Sequence, residues 1–450
     1  MFERIGEFFT SFRNALSIPE LRRRLIFTGL LLVVYRLGSH IPIPGINGEA
    51  LSALVREAGN GVFGLYDMFA GGNLSKATIF ALGIMPYISA SIILQLFGAV
   101  IPHFEKLQKE GEEGRKKITQ YTRWGTVFLA AIEAFGASIF LQSSGFTGPN
   151  GEPIVTHTGV GFIMMTVITL TAGTMFVMWL GEQITERGIG NGISLIIFIG
   201  IIARYPIDIM NTLRTESATG WDFLKIVKLG IILALMLGVI MAVILITQGQ
   251  RKIPVQYAKR MVGRKMYGGQ NTHIPLRVNT AGVMPIIFAQ ALVSIPGTVA
   301  SFFRSNDFAV GIAQLFAPSQ PLYLVLYALA IIFFTYFYTA IVLNPVDLAD
   351  NMRKYGGFVP GIRPGKKTAE YIDRILTRIT VPGAIFLAFI AVLPDVMINL
   401  LRVPFYFGGT GLLIVVGVAL DTLAQIESHM LMRHYDGFMK KGRLKARFGR

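Results

Sequence analysis

The sequence predicts an all-α, polytopic membrane protein of ten transmembrane helices in two inverted five-helix halves. Three observations predict it. The 450-residue chain is 52% hydrophobic and only 15% charged, with a mean hydropathy of +0.55, whereas a soluble domain carries about 25% charged residues. Apolar stretches about as long as a bilayer core is thick recur from end to end. Basic residues crowd every second loop between those stretches, as they do in loops kept on one side of a membrane.

The spans, in order, are Leu25–Ile41, Ile79–Ile101, Trp124–Leu141, Gly159–Leu180, Ile189–Tyr205, Ile226–Ile246, Val278–Phe303, Leu322–Leu343, Ile379–Val396 and Tyr406–Ala424. The first and fifth are short and need flanking residues or burial inside a bundle. The amino end, residues 1–24, is an amphipathic stretch ending in Arg22, Arg23 and Arg24, without the small-residue site of a cleavable signal peptide. The net charge of +16 is concentrated before span one, after spans two, six and eight, and in the tail. No Lys or Arg lies between Gln142 and Thr158, and only Arg304 lies between spans seven and eight. That alternation puts both termini in the cytosol and requires an even number of spans. Five spans on each side of a join near Asn211–Trp221 give halves of 1–213 and 214–450 with opposite orientation. Pro86 in span two and Pro285 in span seven then hold corresponding places, and interrupted segments in matching positions point to a pathway between halves.

Span two, with its lead-in from Gly71, reads GGNLSKATIFALGIMPYISASIILQLFGAVI. A proline inside an apolar helix frees a carbonyl one turn earlier, which needs a neighbour or water to satisfy it. The expectation is a kinked helix walling an internal cavity, with Ser89, Ser91 and Gln95 as its polar residues. Before it, GVFGLYDMFAGG (Gly61–Gly72) is too apolar for an exposed loop. It is either a short helix folded back into the membrane or a segment lying on its surface. Ile84 and Ile88 share one helix face, and Ile193 and Ile197 repeat that spacing. Such pairs suit either ordinary packing or a deformable seal that excludes water. Glu133, inside span three, is either a gating or coupling residue or a protonated carboxyl held by hydrogen bonds. Asp421 lies near the end of span ten and reaches the interface.

The loops at about 248–277 and 344–378 mix Lys and Arg with Pro, Gly and aromatics, in QGQRKIPVQYAKR and FVPGIRPGKKTAEYIDR. Positive-inside bias explains the charge. The length and punctuation suggest a structured docking surface for an acidic protein or a structured RNA. With no cysteine in the chain, disulfides, thiol chemistry and Cys-ligated metals are excluded. There is no HExxH, GxSxG or Walker A lysine loop. The six histidines (His40, His103, His157, His273, His429 and His434) fall mainly in loops or near span ends, none paired at metal-ligand spacing. The sequence calls for no cofactor or metal, and any driving energy must come from another protein or an ion gradient.

The span-two stretch and MWLGEQITERGIGNGISLIIFIGI resemble the two signature stretches of the bacterial SecY family of protein-translocation channels. QRKIPVQYAKR, IPLRVNTAGVMPIIFA, NPVDLADNMRKYGGFVPGIRPG and VPFYFGGTGLLIVV add to the resemblance, in order, over nearly the whole chain. The resemblance implies an hourglass pore that can open sideways into lipid. It places a constriction ring on Ile84, Ile88, Ile193, Ile197, Ile287 and Ile414. It places a plug on Val62, Phe63, Gly64, Leu65, Tyr66, Asp67, Met68, Phe69, Ala70 and Gly71, and lateral-gate residues on Ser89, Gln95, Glu133 and Asn279. Docking residues fall on Arg251, Lys252, Lys259, Arg260, Arg363, Lys366 and Lys367. Many members have two arginines where this chain has Arg251 and Lys252, so the second guanidinium fork is lost here. The implied partners are the small membrane subunits SecE and SecG, the ATPase motor SecA, the ribosome, signal sequences, unfolded secretory or membrane polypeptides, and membrane lipids. The implied location is the cytoplasmic membrane. A different class, the ion-coupled solute transporter, also uses inverted repeats and broken helices. It would place charged or polar ligands where this chain has isoleucine.

Overall fold

The computed structural model describes residues 17–57, 67, 70–143, 153–218, 223–257, 260–262, 265–267, 271–301, 307–317, 320–401 and 409–446. The chain is an all-α, multi-pass membrane architecture with small β-sheets between spans. It divides into two compact units, Met1–Met210 with Ser301–Arg304 and Val418–Arg450, and Asn211–Ala300 with Ser305–Gly417. The division near the expected join is at Met210, and most of the last helix belongs with the first unit rather than with residues 214–417.

In the first unit the helices are α1 (Pro19–Gly38), α2 (Gly48–Glu57), α3 (Met85–Val100), α4 (Pro102–Lys109), α5 (Glu112–Ser143), α6 (Val160–Arg187) and the greater part of α7 (Gly192–Ala218). α5 packs against α3, α4 and α6, and α1 packs on α6. A core of Ile43, Leu51, Ala81, Leu82, Ala130, Ala134, Ile154, Phe162 and Leu170 ties the connections between α1, α3, α5 and α6 together. Small residues at 130 and 134, one turn apart on α5, let its backbone come close to that core, as membrane helices require where lipid offers no hydrophobic drive.

The second unit holds α8 (Phe223–Gln248), strands β1 (Gln250–Tyr257), β2 (Arg260–Val262), β3 (Lys265–Tyr267) and β4 (Asn271–Arg277), then α9 (Met284–Ser301), α10 (Asp307–Leu315), α11 (Pro321–Val342) and α12 (Pro345–Lys354). β5 (Gly357–Phe358), α13 (Lys366–Leu401) and α14 (Gly409–Ala446) complete the chain. α13 packs on α11 and α12. Pro321 and Pro345 sit in first turns, where their missing N–H costs nothing, and the Asn344 side chain caps α12 by accepting from the Val346 N–H at 3.0 Å.

Among the described residues six helices are long and apolar enough to cross a membrane, and α3 with α4, bent by 98°, makes a seventh if counted as one broken span. The apolar parts of α7 and α9, Gly192–Ile207 and Met284–Gly297, are shorter. α1 carries Arg22, Arg23, Arg24 and Arg36 in its 20 residues, which shortens its apolar stretch. Each expected span thus has its helix. Large apolar side chains such as Leu37, Ile168, Leu245 and Phe389 are exposed, as a bilayer permits and water does not.

Candidate functional site

The span-two stretch does not form the kinked helix that its sequence suggests. α3 begins only at Met85, with Pro86 in its first turn. A proline there lacks only an N–H that would have no partner in the helix, so no carbonyl is freed and no kink results. The preceding residues form a chain of turns. The N–H groups of Ala77, Thr78, Ala81 and Gly83 donate to the carbonyls of Leu74, Asn73, Thr78 and Phe80 at 2.8–3.0 Å. The Ile79 N–H donates to the Ile41 carbonyl at 3.0 Å, and the Ile43 N–H to that of Ala77 at 2.7 Å. The polar lead-in is therefore folded onto the segment that follows α1.

The same feature recurs in the second unit. α9 begins at Met284 with Pro285 in its first turn. Gly83–Ile84–Met85–Pro86 and Gly282–Val283–Met284–Pro285 are near-identical tetrapeptides, and their glycines share a positive φ of 57° and 63°. Only glycine adopts that conformation without steric cost. Ile88 and Ile287 then stand two residues after each proline. The corresponding places of Pro86 and Pro285 thus extend to a whole Gly-aliphatic-Met-Pro tetrapeptide, and both prolines open a helix instead of kinking one.

Of the expected ring residues, Ile84, Ile88 and Ile197 are buried in the first unit and Ile287 and Ile414 in the second. Ile193 is half-buried, its side chain lying against Gly181 of α6, where an added Cβ would come within 3.0 Å. Of the expected plug, only Asp67, Ala70 and Gly71 lie among the described residues, and all three are buried. Val62, Phe63, Gly64, Leu65, Tyr66, Met68 and Phe69 lie outside them.

An ion pair, a hydrogen bond and a ring stack hold Asp67 and the lead-in to α3 in place. The Asp67 carboxylate accepts from Arg204 of α7 at 2.7 Å and from the Ser75 N–H at 2.8 Å. Asn73 donates to the Tyr35 hydroxyl of α1 at 3.2 Å, and Tyr35 stacks on Phe80 at 5.8 Å. Gly71 and Gly200 touch backbone to backbone, so a Cβ on Gly71 would lie 2.8 Å from the Gly200 Cα. Nothing local in the sequence around Arg204 reveals its partner 137 residues away.

The expected gate residues have mixed surroundings. Ser89 is buried and Gln95 half-buried, its amide donating to Ser91 Oγ at 3.1 Å. Glu133 is half-buried. Asn279 is buried and donates to the Gly282 carbonyl at 3.1 Å, so it braces the turn that begins α9. Its Oδ1 has no hydrogen-bond partner among the described residues.

The two long loops form one body. β1 is the central strand of an antiparallel sheet ordered β4-β1-β5, pairing Ile253 with Ile274 on one side and Gln256 with Phe358 on the other. Beneath it Ile253, Val255 and Leu276 join Met352, Val359, Ile372 and Leu376 in a separate apolar core. Arg251, Lys252, Arg363, Lys366 and Lys367 are all exposed, with Lys367 3.4 Å from Glu370. Arg260 belongs to β2, and Lys259 lies outside the described residues. Among the described residues no cluster of His, Asp or Glu could hold a metal ion.

Comparison with known proteins gives one consistent result. The SecY family model matches residues 78–423. The protein translocase subunit SecY of Escherichia coli (strain K12) is 48% identical over 437 residues, covering 96% of this chain and 97% of that one. Its counterpart in Aquifex aeolicus (strain VF5) is 47% identical over 426 residues, 94% of this chain and 98% of that one. Among solved structures, one describing how the SecY plug domain stabilises the closed state of a translocation channel and maintains a membrane seal aligns with a TM-score of 0.65. It is 18% identical and covers 92% of this chain and 96% of that one. Sec61 in a canine ribosome–channel complex aligns with a TM-score of 0.58, at 17% identity and with the same coverages.

Proposed function

Since the chain belongs to the SecY family, we propose that it is the pore-forming subunit of a Sec protein translocase. It is a passive channel that moves unfolded polypeptides across the cytoplasmic membrane and releases apolar segments sideways into lipid. The observation that carries this reading is the placement of isoleucine, rather than charged or polar ligands, after both Gly-aliphatic-Met-Pro turns and on α7 and α14. An ion-coupled transporter needs coordinating groups there, and a conduit for changing side chains needs a deformable apolar seal.

The seal is Ile84, Ile88, Ile193, Ile197, Ile287 and Ile414. The plug is residues 62–71, and Ser89, Gln95, Glu133 and Asn279 belong to the lateral gate. A polar extended chain requires a water-filled route, whereas a signal sequence gains free energy by leaving that route for lipid. Their opposite solvent preferences sort the two classes of segment. Docking of the SecA motor or the ribosome is supported by Arg251 and Lys252 on β1 and by Arg363 in the segment between β5 and α13, all three exposed. Lys366 and Lys367, both exposed at the start of α13, extend that surface, and the family resemblance adds Lys259 and Arg260 as docking residues. SecE and SecG are its membrane partners. The Lys and Arg distribution supports cytosolic termini.

The test is SecA-dependent transport of a secretory precursor into liposomes holding this chain with SecE and SecG. Protected precursor is expected only with the motor and ATP. Uptake of a small solute on an ion gradient, without precursor transport, would point to the transporter instead. A photoreactive group at position 84 is expected to crosslink a stalled precursor, and crosslinks elsewhere without one at 84 would overturn the assigned route.

A further inference from the structure

The turn joining α6 to α7 is four residues long, Gly188–Asn191, and a plain connection of that length needs only solvent for its backbone. Here two of its N–H groups, and the first N–H of α7, are taken by side chains from three helices, while the Gly188 N–H donates to the Ile184 carbonyl. Ile189 N–H donates to Thr28 Oγ1 of α1 at 3.1 Å. Gly190 N–H donates to Gln425 Oε1 of α14 at 2.9 Å. Gly192 N–H donates to Thr185 Oγ1 of α6 at 2.9 Å. The first turn of α7 is completed by Asn191, whose Oδ1 accepts from Ile193 and Ser194 at 3.1 and 3.2 Å. Thr28 and Thr185 also spend their own protons, on the carbonyls of Arg24 and Gly181. A helix start normally leaves several such donors to water.

Packing fixes the same turn independently. Ile189 is 3% exposed and enters an apolar cluster with Leu21, Ile18 and Leu25 around α1, and Ile426 and Met430 on α14. Gly190 has φ +86° and lies so close to α14 that an added Cβ would come 3.2 Å from Thr422 Oγ1. The turn is thus clamped between the first and last long helices of the chain. Ile193 is the second residue of α7, about 1.5 Å of rise beyond Gly192, and Ile197 follows one turn later. Gly192, which lies between, is held by Thr185 and packs so closely on α6 that an added Cβ would meet the Gly181 carbonyl.

We infer that Thr28 and Gln425 are positioning residues for the seal: by fixing the start of α7 from two sides, they hold Ile193 and Ile197 in the closed arrangement. This rests on the reading of Ile193 and Ile197 as seal residues. Neither Thr28 nor Gln425 touches a translocating chain in this account; both act through the backbone of the turn.

The test uses the full chain with its partner subunits in planar bilayers, without motor or precursor, and measures ion conductance per channel. Ile193→Gly is the control for the underlying reading and is expected to leak. Gln425→Leu and Thr28→Val each remove one acceptor, and each is expected to raise resting conductance about fivefold, the effect of one lost hydrogen bond on a closed–open equilibrium. Gln425→Glu keeps an acceptor for the Gly190 N–H and is expected to restore the tight state. Thr28→Val preserves shape, so it gives an answer even if Gln425→Leu fails to fold. If Ile193→Gly leaks while both acceptor variants stay tight, with or without a lower melting temperature, the inference falls and the seal reading stands. If Ile193→Gly does not leak, the seal reading itself falls.

Discussion

The Arg204 guanidinium on α7 stands 2.7 Å from the Asp67 carboxylate, whose side chain is 2% exposed. Removing one member of such a pair leaves the other charge uncompensated. Arg204→Ala is therefore expected to destabilise the first unit by about 3 kcal/mol. Asp67→Asn keeps an acceptor for the Ser75 N–H and is expected to cost less. Apparent melting temperatures in detergent should rank wild type above Asp67→Asn, and Asp67→Asn above Arg204→Ala. The reverse order would mean that the carboxylate is held by the Ser75 N–H rather than by Arg204.

Pro86→Ala distinguishes the two readings of span two. A proline in mid-helix costs about 3 kcal/mol, so replacing it would stabilise the protein visibly. A proline in the first turn replaces an N–H that had no helical partner. The expected change in stability is under about 0.5 kcal/mol. A marked rise in melting temperature would show that a helix runs on ahead of Met85.

The apolar base of the sheet is expected to act as its own folding unit. Val255 is fully buried there among Ile253, Leu276, Ile372 and Leu376. Val255→Ala should cost on the order of 1–2 kcal/mol, less than a leucine truncation because less volume is removed. Limited proteolysis should then cut within 250–277 and 344–365 before it cuts the helices of the first unit.

Arg363 is exposed, and its backbone carbonyl accepts from Thr368 Oγ1 at 2.9 Å. Reversing its charge leaves that bond intact. Arg363→Glu is expected to leave the melting temperature unchanged while weakening motor-driven transport roughly tenfold or more, as loss of an interface anchor does. Restoration at raised motor concentration would identify the defect as binding rather than conduction.

The sequence carries the spans because lipid imposes a uniform demand: about 20 apolar residues and no unpaired backbone. Patterns of that kind are local, so Trp124–Leu141 and Leu322–Leu343 point directly to α5 and α11. Partners brought together by the fold are not local. Arg204 with Asp67, Thr28 with Ile189 and Gln425 with Gly190 join residues far apart in the chain, and single residues give no sign of such pairings. Pro86 shows a subtler failure. Its effect depends on whether a helix precedes it, and the turns from Asn73 to Ile84 are set by bonds to Ile41 and Ile43 rather than by their own apolar character. Pro-Gly punctuation marks the loops as ordered, but the pairing of β1 with β5 across about a hundred residues of chain is a register that punctuation cannot encode.

That pairing constrains how the protein can be altered by recombination. Gln256 and Tyr257 are matched to Phe358 and Gly357 across the ladder, and Val359 and Met352 from the second loop share a core with Val255 from the first. Grafting one loop from a relative brings a strand cut to fit a different neighbour. Chimaeras that exchange residues 248–277 and 344–378 together should preserve function where single exchanges fail. The two segments fold as one module interrupted by two membrane helices.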